Sequence, residues 1–349
     1  MLKNFISFFN PINFTKINYQ LVLIIVNIFL VIAFLQKPIR TFLSTDYPPK
    51  IGHTETSHEY SGHIVESGMH IENFHEFDLT NNKFVLNAIV WFKFNPSIIS
   101  LDTIEKFSFE KGDILYKSKP IQKLIGNLVL AQFRIKFSFT SNLDYKLFPL
   151  SNHRIFITLT NKSVSPKDLL FESYESDLSL SENMRISGWK KDDHGVITGH
   201  SESQLDRHDP TTKIHHPIIV FSIDFIQSGI RQLIVLFIPL FFMFYLAIFS
   251  ISLGADSYGQ GIGISLGNIS AFIGYRFVVE GVSPKVGYLM FIDHVFNLLL
   301  FIAFLIFFIN LALNKQKYAL MARGIAIICV HTFFLISWYY LCHHWLFSM

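Results

Sequence analysis

Only two cysteines occur in the chain, Cys329 and Cys342, and both fall in its last apolar stretch. The polar part therefore has no possible internal disulfide and no cysteine-based metal site. Charge is scarce too: Asp, Glu, Lys and Arg make up 16% of 349 residues, and the formal net charge is +3. With no Lys/Arg cluster besides, a nucleic-acid partner is set aside. Nucleophile motifs, phosphate-binding glycine loops and His-Glu-x-x-His are all missing. The Asp192-Asp193-His194 run and the His215-His216 pair thus stand without the company that catalysis needs, and neither an enzyme nor a cofactor is expected.

What the chain does have is apolar bulk, with half its residues from the apolar set and 38 phenylalanines. A helix crossing about 30 Å of hydrocarbon needs roughly 20 mostly apolar residues. Five stretches qualify: Ile17–Gln36, Gln232–Leu253, Ile262–Val279, Tyr288–Leu313 and Leu320–Trp345. The third is interrupted by Asn268, Arg276 and glycines. A polar-spotted span among greasy ones faces protein or water in preference to lipid. The first span runs longer than a signal-peptide core, and Ala33-Phe34-Leu35-Gln36 offers no small-x-small cleavage site, so it reads as an uncleaved anchor. Lys315, Lys317 and Arg323, with no acid among them, place the connection between the fourth and fifth spans in the cytoplasm by the positive-inside rule. Counting back puts residues 1–16 inside as an N-terminal tail and 37–228 outside. The flanks of the first span do not decide this, because Lys3 and Lys16 are balanced by Lys37 and Arg40.

From about Glu59 to Phe225 the chain reads as short alternating strands. Phe84–Phe94, Leu128–Phe139 and Arg154–Thr160 alternate apolar with polar, and turn signals at Thr80–Asn82, Lys111-Gly112, Lys119-Pro120 and Ser165-Pro166 separate such runs. The pattern predicts an antiparallel β-sandwich. Lys191–His216, polar and carrying Gly195, Gly199 and Pro210, reads as a linker in the form of a long mobile hairpin loop. The expected layout is an anchor helix at 17–36, an outer sandwich at 37–228 and a four-helix transmembrane domain at 229–349.

Several stretches carry a resemblance. Leu143-Asp-Tyr-Lys-Leu-Phe-Pro-Leu-Ser-Asn-His-Arg-Ile-Phe-Ile-Thr-Leu159 resembles the Phe-Pro-Phe-Asp loop of the pentameric ligand-gated ion channels (Cys-loop receptor superfamily), in the prokaryotic type that lacks the disulfide loop. Gly68–Phe84 is similar to the first strand and hairpin of such proteins, and Asp224–Gln227 followed by Pro239 to the entry of the first pore-domain helix. The run from Tyr275 to Asp293 resembles the end of the pore-lining helix, the proline-containing loop at Pro284 and the start of the third helix. Together these cover most of Glu59–Met349, and the anchor lies outside the pattern. The resemblance implies a homopentamer in a bacterial inner membrane, its large domain in the periplasm, gated by an unknown small ligand or by protons. It assigns the domain junction to Phe148, Pro149, Ser151, Gln227 and Pro284. It also makes Trp91, Tyr174 and Trp189 candidates for an aromatic ligand site between subunits.

Two departures from that family stand out. The acid and the arginine that pair at the family's domain junction are replaced by Ser151 and Gln227. Both charges are lost together, so no orphan charge remains. In the expected pore helix, Gly259, Gly263, Gly267, Ser270 and Gly274 share one helical face, where the family carries an acid and an apolar girdle. Any constriction then falls near Phe277. These departures favour a rival reading, a channel-shaped receptor or scaffold that does not conduct; the intact run from Tyr275 to Asp293 favours the channel. Arg276 pairs by spacing with Glu280 at i+4. Last, His53, His58, His63, His70 and His75 interleave with glutamates. Imidazole and carboxylate bind zinc-like metals or titrate between pH 5 and 8, yet these spacings match no ligand motif, and a solvated polar segment is the plainer reading.

Overall fold

The computed structural model describes residues 11–52, 62–204, 213–253, 258–313 and 319–346. His53 and His58 of the histidine segment, and Lys315 and Lys317 of the basic loop, lie outside the described residues. The chain divides into two compact units. One comprises Met1–Thr45, Tyr145–Ser151 and Gly229–Met349; the other comprises Asp46–Asp144 and Asn152–Ser228.

The first unit is helical. Among the described residues, five helices are long and apolar enough to cross a membrane: α1 (Ile17–Arg40), α2 (Arg231–Ser252), α3 (Tyr258–Val282), α4 (Phe291–Ala312) and α5 (Ala319–Tyr340). Helix α1 extends four residues past the expected end of the anchor and takes in Pro38. It packs on α5. The Trp338 indole donates to the Val31 carbonyl at 3.4 Å, and Phe34 meets Tyr339 edge-on at 5.3 Å. A 3-10 turn at Pro11–Thr15 also lies on α5, where Gly324 leaves room for the Pro11 backbone. Polar ties cross the bundle. Asn310 of α4 donates to the Ser250 hydroxyl of α2 at 2.8 Å. Arg323 of α5 donates to the Ile251 and Leu253 carbonyls, which end α2 without intrahelical partners.

The second unit is a sandwich of two sheets. One has the order β4-β6-β2-β1-β8, with β5 also on β6 and β9 also on β1; the other has the order β10-β11-β7-β3. The strands are β1 (His63–Asp78), β2 (Lys83–Phe94), β3 (Ser108–Phe109), β4 (Gly112–Lys117), β5 (Ile121–Ile125), β6 (Leu128–Phe139), β7 (His153–Thr160), β8 (Leu169–Glu172), β9 (Leu178–Leu180), β10 (Trp189–Gln204) and β11 (Lys213–Gln227). Alternation puts Phe84, Phe92, Phe133 and Phe137 of one sheet against Ile157, Phe221 and Phe225 of the other in one core. Phe109 and Phe137 stack with ring centroids 4.0 Å apart. The β1–β2 turn is fixed by side chains. Asp78 accepts from the Asn81 backbone and amide at 3.0 and 2.7 Å, which holds its carboxyl below the usual range, and Asn82 takes a positive φ of 51° while bonding both backbone groups of Ser141.

Two expectations are corrected. The sandwich is not wholly antiparallel: β8 and β9 run parallel to β1 along its free edge. Strands of four and three residues are too short to show a direction or a period in sequence. Over its described residues the supposed linker is not a loop either, because Lys191–Gln204 and Lys213–His216 belong to β10 and β11, paired from Trp189↔Gln227 to Gln204↔Lys213; 205–212, with Pro210, lies outside the described residues. The reason lies in the register. Strand β7 covers β11 only over Ile218–Phe225. Beyond that the two strands form a ribbon whose side chains are mostly solvated, so no apolar alternation marks it.

A strap at 46–52 crosses the β10–β11 sheet. Asp46 anchors its start, accepting from the backbone of Asp144 and of Arg154 at 2.7 Å each and facing the His153 ring at 3.2 Å. Ile51 packs on Phe156, Ile218 and Val220, and Gly52 exchanges backbone bonds of 2.9 and 3.0 Å with His200. The crossing requires two glycines: a Cβ on Gly52 would overlap the His200 ring, and one on Gly199 would overlap Ile51. Burial under the strap, and next the neighbouring His215, hold the His200 imidazole below its ordinary pKa, with Glu202 partly opposing. Glu202 is itself paired with Lys213 at 2.5 Å. The unfolded chain therefore binds more protons at His200 than the folded one does. Stability at this site is full above about pH 6.5 and falls as pH drops from there toward the lowered pKa. Thermal unfolding followed between about pH 7 and 5 should show a smaller loss for His200→Gln than for the native chain; equal losses would sink the assignment.

Candidate functional site

Helix starts expose donors that no carbonyl of their own helix can accept. At α4 every one of the first positions finds a partner. The Asp293 carboxylate reaches back to the Met290 backbone at 2.8 Å, while Phe291 N–H donates to the Lys146 carbonyl at 2.7 Å and Ile292 N–H to the Phe148 carbonyl at 3.2 Å. The acceptors come from residues 145–151, the segment between β6 and β7 that belongs to the helical unit. Its Tyr145 N–H also donates to the Tyr288 hydroxyl at 2.9 Å. The segment Leu147–Leu150 is apolar and buried, and its Phe148–Pro149 peptide is cis. Phe148, Pro149, Ser151 and Pro284 of the expected junction are all buried residues of this unit. Gln227 belongs to the sandwich, where its backbone donates to the Asn152 side chain at 3.2 Å.

Asp293 serves a second purpose. Buried to 3% exposure, it also accepts from the Arg276 guanidinium of α3, which bonds Glu280 at 2.9 Å as the i+4 spacing predicts and lies 5.5 Å over the Phe296 ring. One carboxylate thus caps α4 and ties it to α3. A cleft of about 730 Å³ opens beside it, lined by Arg276, Glu280, Pro284, Lys285, Tyr288 and Asp293.

Helix α3 has two faces of different character. Ser265, Asn268, Ile269, Phe272 and Val279 are buried, and Gly261 lies against the α2 backbone, where a Cβ would stand 3.2 Å from the Ser250 carbonyl. The opposite face carries all the expected pore residues, Gly259, Gly263, Gly267, Ser270, Gly274 and Phe277, and all are exposed, Phe277 to 73%. A Cβ at any of those four glycines would meet nothing within 4 Å. Among the described residues the glycine face therefore has no neighbour to explain it.

The candidate aromatics do not converge. Trp91 lies on the outer face of the larger sheet, over Gly68, whose missing side chain makes room for the indole. Tyr174 is exposed and donates to Glu172 at 2.7 Å, an interaction that raises its phenol pKa. Trp189 sits at the end of β10 against Phe77 and His153, with ring centroids 6.4 and 5.9 Å away. The histidines are likewise apart. His63, His70 and His75 follow one strand, so its rise spaces them about 23 and 17 Å from one another. His63 and His75 are exposed, His70 bonds Ser179 at 2.7 Å, and no group of three metal-binding side chains forms among the described residues.

Sequence reasoning missed a charge pair close in sequence to Ser151 and Gln227. Arg154 on β7 and Asp224 on β11 stand opposite each other and form a bidentate pair at 2.5 and 2.6 Å, which raises the guanidinium pKa further. Only the strand register reveals it, since the residues lie 70 positions apart. Asp46 carried no signal at all, being one acid outside every strand pattern.

No protein-family model matches the chain, and no curated protein matches it in sequence.

Removing Arg276 would leave Asp293 buried without its cation, and breaking such a pair costs about 3–5 kcal/mol. Arg276→Ala should lower the thermal stability of the purified protein by that order. In a double-mutant cycle with Asp293→Asn the two changes should be clearly less than additive. Additive losses would mean that the two residues act separately.

Proposed function

We propose that this chain is a subunit of a homopentameric ion channel of the pentameric ligand-gated type. In this reading it sits in a bacterial inner membrane, its sandwich lies in the periplasm, and α3 lines the ion path. The observation that carries the proposal is the clamp of residues 145–151 on the α3–α4 connection. That segment is covalently continuous with β6 and β7, and it supplies the acceptors for the start of α4. A ligand or proton event that moves those strands would be transmitted to α4 through main-chain hydrogen bonds, and from Asp293 to Arg276 on α3. Such a route needs no charge pair at Ser151 and Gln227. The resemblance over Leu143–Leu159 and Tyr275–Asp293 supports the same assignment, because these are the two stretches that the clamp brings together.

The exposed face of α3 supports assembly. Its span has a mean hydropathy of 1.4, the lowest of the five. A membrane span with Ser270 and glycines outward packs poorly against lipid, whereas small residues four apart let helices approach closely. A glycine inside a helix costs roughly 1 kcal/mol relative to alanine, and contact between copies of α3 would offset that cost. The channel at rest is then shut along the glycine half, with Phe277 a turn above Gly274. The second reading, a receptor or scaffold that never conducts, draws on the same glycine face, which carries neither an acid nor an apolar girdle.

Flux through the protein reconstituted in liposomes separates these readings. We expect little resting flux, and we expect Gly267→Leu to lower the yield of intact oligomer more than it changes conductance. Robust resting flux that leucine blocks in an intact oligomer would contradict the closed glycine contact. Absence of flux across pH and candidate ligands would favour the scaffold.

A further inference from the structure

The sandwich holds a cleft of about 540 Å³ on the segment between β9 and β10 and the paired ends of β10 and β11. This volume is in the range of small-molecule sites. Its walls are of two kinds. Leu180, Met184, Ile186 and Trp189 supply an apolar surface over the buried Phe225, and Trp189 keeps its orientation through Phe77 and His153. The rim supplies cations: Arg185, Lys190 and Lys191, against one lining carboxylate, Glu182. None of the three cations has an ion pair among the described residues. Asp193, close by in sequence, acts instead on Arg154. Lys191 lies on the Trp189 side of β10, whereas Lys190, next to it in the strand, faces the other way; Arg185 and Lys191 therefore outnumber Glu182 beside the apolar wall and would attract an anion. An inorganic anion would use the rim and leave the wall bare.

We infer that this cleft is a binding site for an organic carboxylate with an apolar body, its carboxylate on Arg185 and Lys191 and its body on Trp189. Guanidinium and carboxylate match as a two-pronged hydrogen-bonded pair, and the indole face offers a stacking surface. The cleft lies within the sandwich of one chain, so the inference stands apart from the channel reading, and neither pentamer nor conductance is needed to test it. The same chemistry is carried by free aromatic acids and by fatty acids.

Calorimetric titration of the full chain in lipid nanodiscs with phenylacetate, decanoate and the uncharged phenylacetamide decides the matter. Binding of either carboxylate, with phenylacetamide weaker by about tenfold or more, is expected. A preference for phenylacetate would mark a free aromatic acid as the source, and a preference for decanoate an acyl chain. The Arg185→Ala/Lys191→Ala variant removes side chains from the cleft rim, and it should lose the same factor while unfolding at the native temperature. Binding of neither carboxylate, equal binding of phenylacetamide, or undiminished binding by the natively folded variant would overturn the assignment.

Discussion

The arrangement depends on how the first turn of α4 is satisfied. Backbone donors buried at a helix start cost free energy unless something accepts from them. Here the acceptors are two carbonyls from a distant part of the chain and the carboxylate of Asp293. The consequence is mechanical as well as energetic. Residues 145–151 cannot leave α4 without exposing its donors, and Asp293 cannot turn away without releasing both the Met290 backbone and Arg276. Bonds made by main-chain carbonyls do not depend on which side chains the segment 145–151 carries.

Helix α3 combines a satisfied side with an unsatisfied one. Toward the bundle, Gly261 permits close approach to α2, and Phe272 packs on Phe296 at 6.2 Å. On the other side Gly259, Gly263, Gly267 and Gly274 meet nothing among the described residues. Asn268, buried to 4% exposure, has no hydrogen-bond partner for either amide atom among the described residues. Polar groups inside membrane spans are expensive and tend to mark function. Gln20 of α1 and His331 of α5 are buried in the same way, so the exposed glycine face, and not buried polarity, is what sets α3 apart.

How much of this was legible follows from which signals are local. The spans were readable because length and apolarity suffice to mark them, and β6 was readable to the residue because one of its faces is buried and the other wet. The outer part of β10 and β11 was not, since a ribbon of mostly solvated polar side chains, covered at His200 by the strap alone, leaves no apolar alternation. The start of α4 was placed at Tyr288 by hydropathy, whereas the helix begins at Phe291, where capping and not apolarity sets the boundary. The glycine face could be read by spacing alone, but only the structure separates Gly261, which packs, from the four glycines that do not. Arg154 with Asp224, and Asp46 with the strap, are contacts of high sequence separation. Nothing in a single sequence indicates which acid finds which base across a register.

In the proposed channel five copies of α3 surround a common axis. Electron imaging of the purified full-length protein in nanodiscs tests it most directly, because the symmetry of the particles is read without knowing ligand or ion. The account predicts a fivefold axis along the membrane normal with α3 innermost. Monomers, another symmetry, or fivefold particles in which the glycine face of α3 points away from the axis would contradict it.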